Sequence, residues 1–484
     1  MSQRRRGSAA LITALAATGI VVSVMQTVII PINPELPHLL GTTPGAAAWA
    51  ITVTLLVGAV STPVAGRLGD MFGKRRMVVV SLLLLIAGSV VVALSSTLPP
   101  VLVGRALQGC AVGVIPLGIS IMRDEVPAGR LASAMGLMSS SLGVGGALGI
   151  PVAALIAEHL DWHALFWLSA ALGAAALLAV LALVPESPQR SGGRFDVPGA
   201  IGLTTGLVCL LLAVSQGGVW GWGSPVTLGL FGAAAAVLLV WGWFELRTRD
   251  PLVDLRSTAR RPVLLTNLVS IVAGFAMYAQ VLALPQLLQL PEATGYGLGL
   301  GMLAAGLCTM PGGLMMLLVS PVTARITDRW GPKVSLLLGI AVMPVGYLFG
   351  VFFLTEVWHL VLISVVVGIG TALAYSALPA IIMSAVPSAE TAAANGLNAL
   401  MRSIGTSSAA AVIGVVLAGM TVPLGERLVP ALEGFRLTFG IGAAAAVAGA
   451  LVTLFIPRRA ALDLHHTPPG EPLPAAEPVV AAAR

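Results

Sequence analysis

Charge is what this sequence has least of. Only 10% of its 484 residues are charged, where a water-facing domain carries roughly a quarter. Lysine is reduced to Lys74 and Lys333, and cysteine to Cys110, Cys209 and Cys308. Each cysteine lies in an apolar run with no partner at metal-ligand or redox spacing, so all three read as small packing residues. No phosphate-binding loop follows a strand pattern, and no nucleophile, base and acid recur at one depth, which leaves an enzyme without a site. The net charge of +6 has no soluble basic face to occupy, and this excludes a nucleic-acid partner. Period-2 alternation is also missing, and with it the strands of a membrane barrel.

What fills the chain instead is apolar: 57% of residues, with a mean hydropathy of +0.97. A bilayer crossing takes roughly 20 residues, and in lipid the backbone must bond within its own segment, which makes the crossings helical. The pattern predicts an all-α integral membrane protein with 14 transmembrane helices. They fall at 9–32, 46–65, 77–96, 100–122, 132–157, 163–184, 198–217, 225–245, 262–289, 298–322, 334–354, 357–379, 391–418 and 435–456. Arg4, Arg5 and Arg6 precede the first run as in a signal peptide. That run is too long for one, and no small-residue cleavage site closes it, so it reads as a span.

Basic residues test the count, because cytoplasmic loops collect them. With the N-terminus inside, only Arg105, Arg402, Arg427 and Arg436 fall away from the cytoplasmic segments. Both termini are then cytoplasmic. Scarce lysine beside abundant alanine, glycine and valine is an association with GC-rich bacteria, so the expected location is a bacterial inner membrane.

The chain also repeats itself at an offset of about 260 residues. Gly66-Arg67-Leu68-Gly69-Asp70-Met71-Phe72-Gly73-Lys74-Arg75 returns as Ala324-Arg325-Ile326-Thr327-Asp328-Arg329-Trp330-Gly331-Pro332-Lys333. Val126-Pro127 returns as Val386-Pro387, and Ala134-Met135-Gly136-Leu137 as Ala394-Asn395-Gly396-Leu397. The expected organisation is therefore a cytoplasmic N-terminus (1–8), a six-helix bundle (9–184), a two-helix insert with its flanking loops (185–261), a second six-helix bundle (262–457) and a disordered tail (458–484). Related halves point to a secondary transporter with its site where they meet.

The first repeat resembles the loop signature of the major facilitator superfamily. Arg105-Ala106-Leu107-Gln108-Gly109 is similar to its R-x-x-Q-G element, and Trp162 to Phe166 to the opening of its sixth helix. The insert borders, Asp196 to Gly199 and Glu245 to Leu252, and the stretch Asn398 to Gly405, resemble the fourteen-span drug:proton antiporters. The resemblance implies the major facilitator fold, two six-helix bundles plus a two-helix central insert. It also implies a monomer that exchanges drugs or metabolites for protons, with the proton gradient as energy source and no cofactor. The partners expected are a small-molecule substrate, protons and the lipid bilayer.

Gly66, Gly69, Asp70 and Gly73 are expected in a tight turn, with Asp70 accepting bonds from a neighbouring helix N-terminus or arginine. The resemblance gives Asp70 and Arg75 a gating role, with Asp328, Arg329 and Gly331 serving the second half. A basic topology anchor is the alternative. Arg105 lies inside the fourth helix, where an unpaired cation is expensive, so it faces the cavity or a partner, or else snorkels to the outer surface. The resemblance links it to proton coupling.

Gly143, Gly146 and Gly149 let another helix approach closely, and Pro151 permits a bend. The family's proline stands one place earlier than Pro151. A second departure is Met25, where many relatives carry an aspartate. Without it, the protonatable candidates are Glu35, Asp124 and Glu125, with Glu158 and Asp161 near the outer end of the fifth helix also possible. Family geometry offers Gln26, Asn33, Gln108, Tyr278, Gln280, Tyr375, Asn398 and Arg402 as cavity contacts. Such a cavity suits amphipathic or neutral compounds. An uncoupled facilitator or narrow-substrate exporter is the alternative, and a membrane scaffold or enzyme a remote one.

Overall fold

The computed structural model describes residues 2–32, 35–187, 190–425 and 427–457. Among them, 14 helices are long and apolar enough to cross a membrane. The first six are α1 (Ser8–Thr27), α2 (Gly45–Phe72), α3 (Lys74–Ala93), α4 (Leu98–Glu125), α5 (Gly129–His159) and α6 (His163–Leu183). The insert is α7 (Val197–Trp220) and α8 (Pro225–Glu245). The last six are α9 (Arg261–Gln289), α10 (Met302–Trp330), α11 (Pro332–Phe352), α12 (Val357–Ala385), α13 (Ser388–Gly419) and α14 (Leu432–Leu454).

The helix count agrees with the hydropathy pattern, but two ends do not. α2 continues to Phe72 and α10 to Trp330, each about two turns past the apolar run. Arg67 and Asp70 look like a membrane exit, yet both side chains are buried against protein, so the helix carries on. Gly66, Gly69 and Asp70 are therefore helical, and the turn is Gly73 alone, at φ 117°; Gly331 is its counterpart, at φ 83°. Side chains avoid both conformations. α4 is interrupted by a 3-10 turn over Cys110–Gly113, and α10 by a one-residue break at Val319, just before Pro321.

Packing sorts the helices into two bundles with separate cores. Leu15, Val78, Leu82, Leu117 and Met138 belong to the first, and Leu287, Ile340, Tyr347, Leu378 and Phe439 to the second. The bundles meet along two seams, α2 with α13 and α5 with α10. The insert breaks this symmetry, because α7 packs on both helices of the first seam, and Leu203, Leu207 and Leu211 share a core with Ala59, Leu397 and Leu400. α8 packs on α7 and shows most of its surface to lipid. An unforeseen antiparallel hairpin, β1 (Thr421–Leu424) and β2 (Arg427–Pro430), joins α13 to α14, pairing Val422 with Val429.

Candidate functional site

The first repeat closes the basic end of the α2–α13 seam. Asp70 accepts hydrogen bonds from the backbone N–H groups of Ala392 (3.2 Å) and Ala393 (2.8 Å), in the first turn of α13. Those donors are orphans by helix geometry, and α13 has no side-chain cap of its own. A carboxylate from the other bundle thus caps this helix, favoured by its dipole. Gly66 makes the approach possible, since a β-carbon there would strike the Ala392 carbonyl. Gly396 does the same from α13, facing the Thr62 carbonyl.

Behind Asp70 lies a cation the motif reading passed over. Lys74, 0% exposed, stands 3.8 Å from Asp70 and 2.7 Å from Asp124, whose side chain is 3% exposed. The same Nζ donates to Thr391 Oγ1 at 3.1 Å, and the Ser187 hydroxyl donates to Asp124. Arg123 adds a second positive charge near both carboxylates. Lys74 and the two carboxylates, buried together, bridge α2, α3, α4 and the start of α13, with the half-buried Arg123 beside them.

Of the two partners expected for Asp70, the helix N-terminus is the one it takes, and Arg75 stays within its own bundle. Arg75 donates instead to the Leu181 carbonyl (2.6 Å), near the end of α6, and Lys333 donates to the carbonyls of Leu454 (2.8 Å) and Ile456 (2.5 Å), at the end of α14. These equivalent cations cap the last helix of their own bundle. Nor does the second repeat latch. Asp328 and Arg329 are exposed, Asp328 bonds to none of the described residues, and Arg329 lies over the Trp330 ring at 5.4 Å.

Deeper in the first bundle, Arg105 is 1% exposed, which rules out snorkelling. Its Nε donates to the Ala50 carbonyl (3.0 Å), and its Nη1 to the Met25 carbonyl (3.3 Å) and to Gln108 Oε1 (2.8 Å). Gln108 passes the network on to Ser89 at 2.9 Å. No carboxylate of the described residues touches Arg105. Where an aspartate was looked for, Met25 offers a main-chain carbonyl.

This geometry is that of two related bundles, closed at one end, with buried charge between them. The profile described as the Major Facilitator Superfamily matches residues 15–410. The chain belongs to that superfamily. It is 27% identical over 413 residues to the tetracenomycin C resistance and export protein of Streptomyces glaucescens, covering 83% of this chain and 74% of that one. It is also 27% identical over 388 residues to the multidrug resistance protein Stp of Mycobacterium tuberculosis, covering 80% and 71%. The crystal structure of the human organic anion transporter MFSD10 shares the fold, with a TM-score of 0.66 at 15% identity, over 92% of this chain and 99% of that one.

The remaining candidates in this superfamily member fall into three groups. Gln108 and Asn398 are committed to structure, Asn398 donating to Asn267 (2.9 Å) and Ser270 (2.7 Å) and so tying α13 to α9. Gln26, Tyr278, Gln280, Tyr375 and Arg402 keep polar groups unspent; Gln280 Oε1 and the Tyr375 hydroxyl are buried without a partner. Asn33 lies outside the described residues. Glu35 is exposed and beyond the end of α1, not within it, and Glu125 is half-buried beside Asp124. Along α5, Gly143 lies against Met316 and Gly149 against Thr27, whereas nothing lies within 4 Å of a β-carbon at Gly146. Gly146 is not a packing glycine. Pro151 is accommodated within a continuous helix. Lys74 had a signal in the repeat: its counterpart is Pro332, and that of Asp124 is Ser384, so both partners are absent from the second half.

Proposed function

We propose that the chain is a secondary exporter of amphipathic or hydrophobic organic compounds, exchanging them for protons by alternating access. The location proposed is a bacterial inner membrane, with both termini and the Asp70 junction on the cytoplasmic side. The reading rests first on the Asp70 contact, because a carboxylate capping a helix of the opposite bundle can exist only while that end is closed. It is a two-state element of the kind alternating access requires. The relatives named for tetracenomycin and multidrug export supply the substrate class.

Proton coupling follows from the same cluster. Protonating Asp70 or Asp124 removes an acceptor charge from a buried assembly and releases the start of α13, so proton binding favours opening of the cytoplasmic end. Export energised by the proton gradient needs no cofactor. An uncoupled facilitator is the second reading, favoured by one observation: every described carboxylate lies within about one helical turn of a helix end or outside the helices.

Proteoliposomes with an acid interior decide between these readings. Uptake of amphipathic dyes that collapses with a protonophore and falls in Asp70→Asn is the expected outcome. Uptake indifferent to the gradient would leave transport standing and remove the antiport.

A further inference from the structure

The charges nearest the middle of the membrane are both positive. Arg402 lies about 20 Å along α13 from Ser388, at about 1.5 Å per residue. Arg105 lies within α4. A cation at such depth is expensive unless something pairs with it, and by default it marks a site whose partner must be named. Arg105 finds carbonyls and Gln108, whereas Arg402 finds only a ring face, its guanidinium carbon 4.9 Å from the centroid of Tyr375. It makes no hydrogen bond or ion pair with the described residues.

The position of this unpaired cation is informative. Gly274 of α9 lies against Arg402, which a β-carbon there would crowd. Tyr375 is 1% exposed and its hydroxyl has no partner. Its main-chain carbonyl, meanwhile, accepts from Ser139 of α5 at 3.0 Å, which places the group where the two bundles meet. A guanidinium offers donors and no acceptor, and a phenol offers one donor more. Neither has a carboxylate partner among the described residues. The unmet need is for negative charge next to an aromatic surface.

We propose that Arg402 and Tyr375 form a subsite for one anionic group, and that the exported compounds are aromatic monoanions, such as carboxylates, sulfonates or phenolates. This rests on the export function proposed above. It narrows the substrate class: a cation at this depth would have no carboxylate to pair with, since the described carboxylates lie near helix ends or outside the helices.

Three probes on one ring system test the charge directly: 1-naphthalenesulfonate, 1-naphthalenesulfonamide and 1-naphthyltrimethylammonium. Binding is measured by equilibrium dialysis to the full chain in phosphatidylcholine nanodiscs, with empty nanodiscs subtracted. The anion is expected to bind at least about tenfold more tightly than the other two. Arg402→Gln abolishes that preference, while Tyr375→Phe weakens the anion a few-fold and leaves the sulfonamide unchanged. Thermal unfolding checks that each variant folds, and if Arg402→Gln does not, Tyr375→Phe carries the test. Equal binding of the three probes, absence of binding, or a preference untouched by both substitutions would overturn the proposal. No pH gradient is present here, so the charge preference can fail while gradient-driven export stands, and the reverse.

Discussion

The two seams between the bundles arise from one repeated sequence, yet they hold by different physics. The α2–α13 seam is closed at its end by buried charge: Asp70 on the first turn of α13, with Lys74 and Asp124 behind it. The α5–α10 seam has a hydroxyl bond and close backbone packing instead. Ser140 donates to the Met316 carbonyl at 2.5 Å, and Gly313 packs on the backbone of Gly143. At its basic end, α5 lacks a side-chain cap and Asp328 stays in the open. One junction is thus an electrostatic clasp between buried groups, and the other a packed contact whose end carries exposed charge. The insert joins the clasped side, where a cavity of about 350 Å3 opens between the start of α13 and the segment after α8, lined by Arg67, Glu245, Asp254 and Glu390. The repeat gives two seams, and because Pro332 and Ser384 stand in the second half where the first has Lys74 and Asp124, only one of them has the clasp.

The widest separation between the seams is expected from Lys74→Ala. It strands two carboxylates in a buried site, a change that costs about 3–5 kcal/mol. Thermal unfolding in nanodiscs reads it. The double variant with Asp124→Ser, which restores the second half's lack of both partners, is expected to regain most of the loss. A double variant no more stable than the single would mean that the two residues do not act as a pair.

Gly66→Ala comes next. Its β-carbon meets the Ala392 carbonyl, a backbone atom that cannot rotate away, and overpacking of this kind costs about 1–3 kcal/mol. The second seam already carries Ala324 at the equivalent place, so Ala324→Gly is expected to change stability by about 1 kcal/mol or less. Distances between spin labels at the basic ends of α2 and α13 would lengthen in Gly66→Ala only. Equal lengthening across α5 and α10 would show the seams to be mechanically one.

How far the sequence anticipated this follows from what each signal measures. Hydropathy reports lipid, so the fourteen spans were legible. It cannot report burial against protein, so the apolar run of α2 ends short of Arg67 although the buried helix carries on to Phe72, and Gly66 and Asp70 read as a loop. α10 also outruns its apolar stretch, with Arg325, Asp328 and Arg329 exposed on a helical end that hydropathy does not mark. The repeat singled out Asp70 and offered it a helix N-terminus or an arginine; the structure supplies the helix N-terminus. Arg75 was preferred over Lys74 because the motif weighs neighbours along the chain, whereas the cluster assembles Asp124 and Thr391 from far away. Tyr375 and Arg402 were visible as polar groups in apolar helices, but nothing in the sequence says which polar groups find partners. Asn398 and Gln108 do; Arg402 does not.

Smaller effects refine the contrast on the hydroxyl side. Ser140→Ala removes the bond to the Met316 carbonyl, and interhelical bonds of this kind in membranes average about 0.6 kcal/mol. The expected drop in stability is slight, and the closed population at the α2–α13 end should not move. A loss comparable to that of Gly66→Ala would make the second seam the stronger one and invert the comparison.

Asp328→Asn is the smallest change and the most exacting. If Asp328 were a second latch, neutralising it would open the basic end of α5–α10 as Asp70→Asn opens that of α2–α13. The structure gives it no donor to lose: the residue is exposed, and the start of α5 is left to other partners. Spin-label distances across α5 and α10 are therefore expected to be unchanged, while those across α2 and α13 lengthen in Asp70→Asn. A matched opening in both variants would mean that the exposed carboxylate engages α5 in another state of the cycle. The asymmetry between the seams would then belong to this conformation and not to the sequence.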